Sequence, residues 1–423
     1  MSAAPEIAVL PRLLSGVSHR GTAQLERHLD EHGPLPAPAE LSAKTLLAAV
    51  EAAGLRGRGG AGFPAALKMR AVRSARGQAI VVANGCESEP MSAKDALLLR
   101  ELPHLVLDGA ALAARVVGAE QVIVAYEGQN ADTQVSLAHA IRQRRAAGTD
   151  TVAFELFAAA EKFLTGQETS LLSQLGGGPP VPSFIPPRPT ERGVRRRPTL
   201  VQNVETLAHL ALIARHGSGW YRALGSDDEP GSTLVTLAGA VGSPGVYEIE
   251  LGTRLEALLE AAGGPTGQIA GLLVGGYFGS WLPAALAGEL ELSNGWLRAH
   301  DAALGCGVVV ALPASACPVA ETVRVAVYLA TETARQCGPC VHGSAALART
   351  LHGMALGRPE AGAFAALRRW TTSLPGRGAC HLPDGLSHFV ATALATFPRQ
   401  FEDHARGGPC ERCGAAPLLE IPA

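Results

Sequence analysis

Two short, wholly apolar runs constrain this chain most: AIVVA at 79–83 and VIVAY at 122–126, each set between stretches of helical character. Apolar runs of this length bounded by polar turns read as buried strands. Their alternation with helices predicts an α/β layer reaching to about residue 215. The first helix is expected over 43–53, with Ser42 as its N-cap, an apolar stripe of Leu46, Leu47, Val50 and Ala53, and Gly54 as its stop. A glycine-rich loop and a second helix over 64–76 follow, and a longer helix is expected over 103–117.

The pattern then changes. Residues 232–281 carry TLVTLAGAV, a GSPG turn, VYEIEL, a short helix over 253–262 and LLVGG, which read as a small mixed β-grasp module. From about residue 321 the chain reads as helical down to about 406, and a tail containing Gly, Pro and Cys follows. Residues 1–41, Pro-rich and weakly periodic, read as an arm. The expected division is therefore an arm (1–41), an α/β domain (42–228), a β-grasp module (229–305), a helical domain (306–406) and a tail (407–423).

Composition removes several function classes. Lys and Arg total 36 against 38 Asp and Glu, a formal charge of −2. That balance leaves no basic excess to neutralise phosphates and argues against nucleic acid as a partner. No apolar run reaches the roughly 18–20 residues of a spanning helix. Residues 1–16 lack a basic segment followed by an apolar one. A cytoplasmic location is expected, with any membrane association peripheral and through a partner. Lysine survives only at Lys44, Lys68, Lys94 and Lys162, positions where a compact point charge is wanted or that chance has spared.

Four segments carry chemistry. Gly57-Arg58-Gly59-Gly60-Ala61-Gly62 satisfies G-x-G-x-x-G but follows a helix, so it is a poor dinucleotide fingerprint. Its glycines still let backbone N–H groups approach an anion, the helix after Pro64 aims its positive end at it, and Lys68 lies one turn on. A tight helix–helix turn is the competing reading. Asn84-Gly85-Cys86-Glu87-Ser88-Glu89-Pro90 follows the first strand, where α/β sheets bind ligands. Glu87 and Glu89 there are either ligand contacts or part of a polar loop entering a capping box, Ser92-Ala93-Lys94-Asp95. Gly166-Gln167-Glu168-Thr169 looks like a helix start, and PTLVQNVET at 198–206 like an extended segment turning into a helix.

The eight cysteines supply the remaining signal. Cys337-Gly338-Pro339-Cys340 is a C-x-x-C pair, with Cys380 a plausible third ligand. An iron–sulfur centre ranks first, structural zinc with His342 or His381 second, and a redox pair third. Cys86, Cys306 and Cys317 have no partner at chelating spacing and read as buried thiols.

In this order, GLRGRGGAGFPAALK, NGCESEP, GQETSLL and RPTLVQNVETL resemble the NADH-oxidising flavoprotein subunit of respiratory complex I, with relatives in NAD-reducing hydrogenases and formate dehydrogenases. The resemblance spans about residues 42–404 and implies an α/β flavin-binding domain, a β-grasp module and a helical-bundle iron–sulfur domain. It further implies FMN, one [4Fe–4S] cluster, NADH or NADPH as substrate, and a ferredoxin-like or other redox protein, or a membrane-associated complex, as partner. By the same resemblance, Gly57, Arg58, Gly59, Gly60 and Lys68 match the flavin-phosphate loop. Asn84, Glu87, Gly166, Glu168, Asn203 and Thr206 match further flavin contacts. Phe63, Phe163 and Glu89 match positions near the nucleotide, with Glu89 orienting the nicotinamide.

There are departures from the family. Its acid before Glu87 is Cys86 here, its paired acids become Gln167-Glu168, and two of its nucleotide-stacking aromatics fall on Ala71 and Arg188. Base stacking is worth about 1–3 kcal/mol per aromatic, so a weakened nucleotide is expected. One cluster cysteine falls on Ala334, leaving Cys337, Cys340 and Cys380, and Cys410 in the tail is the expected replacement, ahead of Cys413. Two functions stand at this point: an FMN- and Fe–S-dependent NAD(P)H oxidoreductase, or a degenerate member serving as scaffold or electron relay.

Overall fold

The computed structural model describes residues 10, 12–15, 17 and 24–422, which form two compact units. The first comprises the chain to residue 88 with 93–235 and 246–252. Its helices are α1 (Leu25–His32), α2 (Ala43–Ala53), α3 (Ala65–Ser74), α4 (Lys94–Glu101), α5 (Pro103–Val117), α6 (Ala131–Ala147), α7 (Glu168–Leu175) and α8 (Val204–Arg222). Strands β1 (Ile80–Gly85), β2 (Gln121–Glu127), β3 (Ala153–Ala159) and β4 (Thr199–Asn203) form a parallel sheet in the order β3-β2-β1-β4. Central β1 and β2 are apolar because a parallel sheet has both faces covered.

Local signals decided many boundaries. Ser42 accepts from the Thr45 N–H, and Gly54 closes α2 in the left-handed conformation. Helix α5 crosses α8 so closely that a Cβ on Gly109 would lie 1.8 Å from the Leu207 carbonyl oxygen. Only glycine permits that approach.

Two expectations for this unit need correction. Within the expected arm, residues 25–32 form α1, and His28 reaches buried Asp108 at 2.8 Å. Of the rest of that arm, residues 10, 12–15, 17, 24 and 33–41 are described. Before α4, the expected Ser92 box gives way to a longer-range cap: the Glu87 carboxylate accepts from the N–H groups of Asp95 (3.1 Å) and Ala96 (2.9 Å).

The second unit comprises residues 89–92, 236–245 and 253 onward. The chain passes between units within β5 (Ser232–Gly239) and β6 (Gly245–Glu250). Helix α9 (Leu255–Ala261) precedes β7 (Ile269–Val274), β8 (Ser280–Pro283), α10 (Asn294–Ala299) and β9 (Val308–Pro313), and the five strands are ordered β6-β5-β9-β7-β8. Strand β9 pairs parallel to β5 and antiparallel to β7. The expected boundary at 305/306 is therefore misplaced, because the central strand of the sheet lies beyond it.

Helices α11 (Pro318–Thr331), α12 (Ala345–Ala355), α13 (Ala363–Ser373), α14 (Leu382–Thr396) and α15 (Pro398–Gly407) complete the unit. Trp281 of β8 packs on Phe389 and Phe397, and a Cβ on Gly271 would lie 2.6 Å from the Phe397 ring. The β-grasp sheet and the helices pack against each other through these rings.

Candidate functional site

In the first unit, the sheet order 3-2-1-4 opens a crevice at the carboxyl ends of β1 and β4, the usual ligand position in such sheets. Asn84 and Asn203 are register partners there. Asn84 donates to the Gly166 carbonyl (2.8 Å) and accepts from the Cys86 N–H, tying the start of α7 to the end of β1. Asn203 caps α8 by accepting from the Glu205 N–H (2.9 Å) and donates to Asp95. Thr206 accepts from the Arg58 N–H at 2.9 Å, fastening the glycine loop over the start of α8. A Cβ on Gly59 would meet Cβ of Asn203 at 3.3 Å, a tight contact that a side chain could make only if Asn203 shifted.

Gly59 and Gly60 are exposed, and Lys68, one turn into α3, forms a 2.9 Å ion pair with Glu168 at the start of α7. Arg58 points elsewhere. Its guanidinium donates to the Tyr221 hydroxyl and the Ser232 carbonyl at 2.9 Å each and lies 4.0 Å from Glu205. Its side chain anchors the loop on the start of β5 and on Tyr221.

Behind the loop lies a buried charge network. Lys94 Nζ reaches Asp95 at 2.8 Å and Glu205 at 2.9 Å, and Glu205 also accepts from the Thr233 hydroxyl and the Leu234 N–H. Burial opposes charge on Glu205, yet Lys94 and its other donors hold it well below the usual carboxylate range. Burial pushes Asp95 up to about 7 against the pull of Lys94, with Glu87 adding to the rise. Glu127, ending β2, is pushed up to about 8 by burial and then by Glu87, Glu161 and Asp95. Sequence reasoning missed Glu127 and Glu205. The carboxyl-end rule, applied to β2 as it was to β1, would have found Glu127.

The remaining expected contacts divide. Phe63 is 52% exposed beside the loop, whereas Phe163 is buried. Ala71 and Arg188 are exposed, and the Arg188 N–H donates to Glu191. Glu89 belongs to the second unit, where its buried carboxylate accepts from the Tyr277 N–H at 2.8 Å and the Met91 N–H at 3.4 Å. These two backbone N–H groups fix its position.

The donor set fits FMN. Glycine N–H groups, the start of α8 and Lys68 suit a phosphate. Asp95 and Glu127, pushed up by burial, suit the hydroxyl and N–H donors of a flavin.

In the second unit, Cys337 and Cys340 stand 3.5 Å apart at the start of a π-helical turn (Pro339–Ser344), and Cys380 lies near enough to Cys340 to shift its thiol upward. These three thiols fit three ligand positions of an iron–sulfur cluster; Ala334 offers none. Cys410, expected to take the fourth, lies instead with Cys317, His404 and Cys413. Cys317 is accordingly no isolated thiol, whereas Cys86 is buried, its thiol pushed well up by burial.

The comparisons with known proteins agree with this geometry. The Nuo51 FMN-binding domain matches residues 50–212, the SLBB domain 234–272, and the NADH-ubiquinone oxidoreductase-F iron-sulfur binding region 320–404. The second F-type chain of the NADH-quinone oxidoreductase of Rhizobium meliloti is 31% identical, over 85% of this chain and 89% of its own. Its F-type counterpart in Streptomyces coelicolor is 30% identical, over 86% and 84% respectively. Among solved structures, a chain of the NAD+-reducing [NiFe]-hydrogenase in the H2-reduced state superposes with a TM-score of 0.81 at 31% identity, covering 86% of this chain but only 63% of the hydrogenase chain. The air-oxidised form gives 0.83 at 30% identity, covering 97% and 68%. Motifs, fold and relatives converge: the chain belongs to the F-type family of NADH-quinone oxidoreductase subunits, FMN- and iron–sulfur-dependent oxidoreductases of the NADH dehydrogenase type.

Proposed function

We propose that this protein oxidises NADH with FMN held in the β1/β4 crevice and delivers the electrons singly, through the cluster of the second unit, to a redox-protein partner. One observation carries the reading: four separated segments bring phosphate-type donors and acidic acceptors to one sheet edge. Bound FMN would supply the conversion of a hydride into single electrons. The chain's part is positioning. The N–H groups of Gly59 and Gly60 with Lys68 hold the phosphate; the Gly57 N–H closes the loop on the Phe63 carbonyl at 2.9 Å, and Arg58 and Thr206 hold it in place. Asn84, Gly166, Glu168 and Asn203 shape the crevice, while Glu87 and Glu127 receive donors. Exposed Phe63 offers a stacking face to the incoming nucleotide. Cys337, Cys340 and Cys380 hold the cluster.

The loss of two stacking aromatics, at Ala71 and Arg188, makes nucleotide affinity weaker than is usual for the family. The acceptor is a ferredoxin-like protein or another member of a larger complex. Among the described residues no helix is long and apolar enough to cross a membrane, and we assign any membrane association to such a partner.

Anaerobically purified protein should release FMN on denaturation, and NADH should bleach the bound flavin in stopped-flow mixing. If dithionite bleaches it while millimolar NADH and NADPH do not, nucleotide oxidation is excluded and a relay between proteins takes its place.

A further inference from the structure

Outside the flavin crevice and the cluster cysteines, the second unit gathers Cys317, His404, Cys410 and Cys413 so that one ligand atom of each lies within 4.8 Å of all the others. Cys317 Sγ stands 3.4 Å from His404 Nε2, Cys413 Sγ 3.9 Å from the same nitrogen, and Cys410 Sγ 3.8 Å from Cys413 Sγ. Four ligands about 2.0–2.3 Å from one tetrahedral ion stand about 3.3–3.8 Å from one another. The separations suit four ligands around a single ion, and the His404 ring as fourth donor sets this group apart from the three cluster cysteines.

Its supports are those of a ligand set. His404 is buried, and its other ring nitrogen, Nδ1, lies 3.4 Å from the Ala355 carbonyl, which holds Nε2 as the inward lone pair. Buried Cys317 is the N-cap of α11, where its sulfur accepts from the Ala320 N–H at 3.5 Å. Beyond α15 the chain turns through Gly408, and a Cβ on Gly357 would lie 2.7 Å from the Gly408 Cα, so glycines let the tail cross α12. The turn Glu411–Gly414 folds Cys413 back beside Cys410, its N–H donating to the Cys410 carbonyl at 2.9 Å. Arg412 donates to the Ala314 carbonyl at 3.2 Å, binding the tail to the loop that leads into Cys317. Farther on, Glu321 of α11 accepts from the N–H groups of Leu418 and Leu419.

We propose that Cys317, His404, Cys410 and Cys413 bind one structural zinc ion that clasps the tail to the start of α11 and the end of α15. The ligand set shares no residue with Cys337, Cys340 and Cys380. Three cysteines and one histidine form a closed site of the structural zinc type, with no position left for substrate. Binding releases the thiol protons and involves no change of oxidation state.

The test uses the full-length holoprotein, desalted after purification from zinc-replete medium. Elemental analysis should give one zinc per chain beside the iron, and the zinc X-ray absorption edge should give a shell of three sulfurs and one nitrogen. In a Cys410→Ser/Cys413→Ser variant zinc should fall to background with iron per chain unchanged. His404→Cys should retain zinc with a four-sulfur shell, where His404→Ala loses it. Zinc-free wild-type protein, a shell of oxygen and nitrogen only, mononuclear iron in place of zinc, or loss of iron in the double variant would each overturn the assignment; the last would return Cys410 to the cluster. Should the serine variant fail to fold, the wild-type shell decides alone.

Discussion

Two parts of the first unit bury carboxylates and treat them in different ways. Asp108 on α5 accepts from His28 at 2.8 Å, Arg144 at 2.7 Å and Arg215. Burial opposes its charge, but these partners together hold it well below the usual carboxylate range. At the crevice the outcome is divided: Glu87, Asp95 and Glu205 lie around Lys94, and Glu127 lies beside Glu87 and Asp95. Against burial, Lys94 and its other donors hold Glu205 down as Asp108 is held, but at Asp95 and Glu127 burial prevails, and Glu127 is pushed up to about 8. A balanced cluster serves stability; one whose carboxyls are pushed up by burial is open to a ligand that brings donors.

The largest effect should come from removing the balanced anion. Asp108→Asn leaves Arg144 and Arg215 buried against a neutral group and should cost about 3–5 kcal/mol, read as a lower denaturant midpoint at unchanged slope. At the crevice, Lys68→Ala removes one charged donor worth about 1.5–3 kcal/mol, so FMN should bind about ten- to a hundredfold more weakly. Because the Lys68–Glu168 pair is partly exposed, stability of the flavin-free protein should change by less than about 1 kcal/mol. Full flavin occupancy in that variant would remove Lys68 from the site.

pH separates the two clusters by sign. A depressed carboxylate such as Asp108 contributes stability above its unfolded value of 3.8 that is lost as pH falls toward its folded value. Glu127 is raised, so its contribution is complete below 4.5 and is lost as pH rises through about 8. Melting temperatures of Glu127→Gln should therefore decline less than wild type between those values, while Asp108→Asn should lose acid sensitivity instead. Parallel curves would break the contrast. The smallest change is expected for Asp95→Asn, about 1 kcal/mol, since Lys94 keeps Glu205 as its partner.

Much of the fold was legible along the chain, because caps and periodicities act over a few residues. The Ser42 cap, the Gly54 stop, the bounds of α5 and the β4–α8 junction follow the sequence pattern residue for residue or nearly so. The crevice was legible through its glycine loop and the residues ending β1 and β4, which sit at strand ends by local rules.

What the sequence by itself determined is thus each element and the kind of chemistry it carries. Tertiary structure alone decided which groups meet. It turned Arg58 inward to Tyr221, gave Glu89 to the Tyr277 N–H, and set β9 at the centre of the second sheet. It joined His28 to Asp108 across 80 residues and Cys317 to His404 across 87. Partners so far apart leave no mark on a local pattern, because their distance is set by how helices and sheets pack rather than by the residues between them.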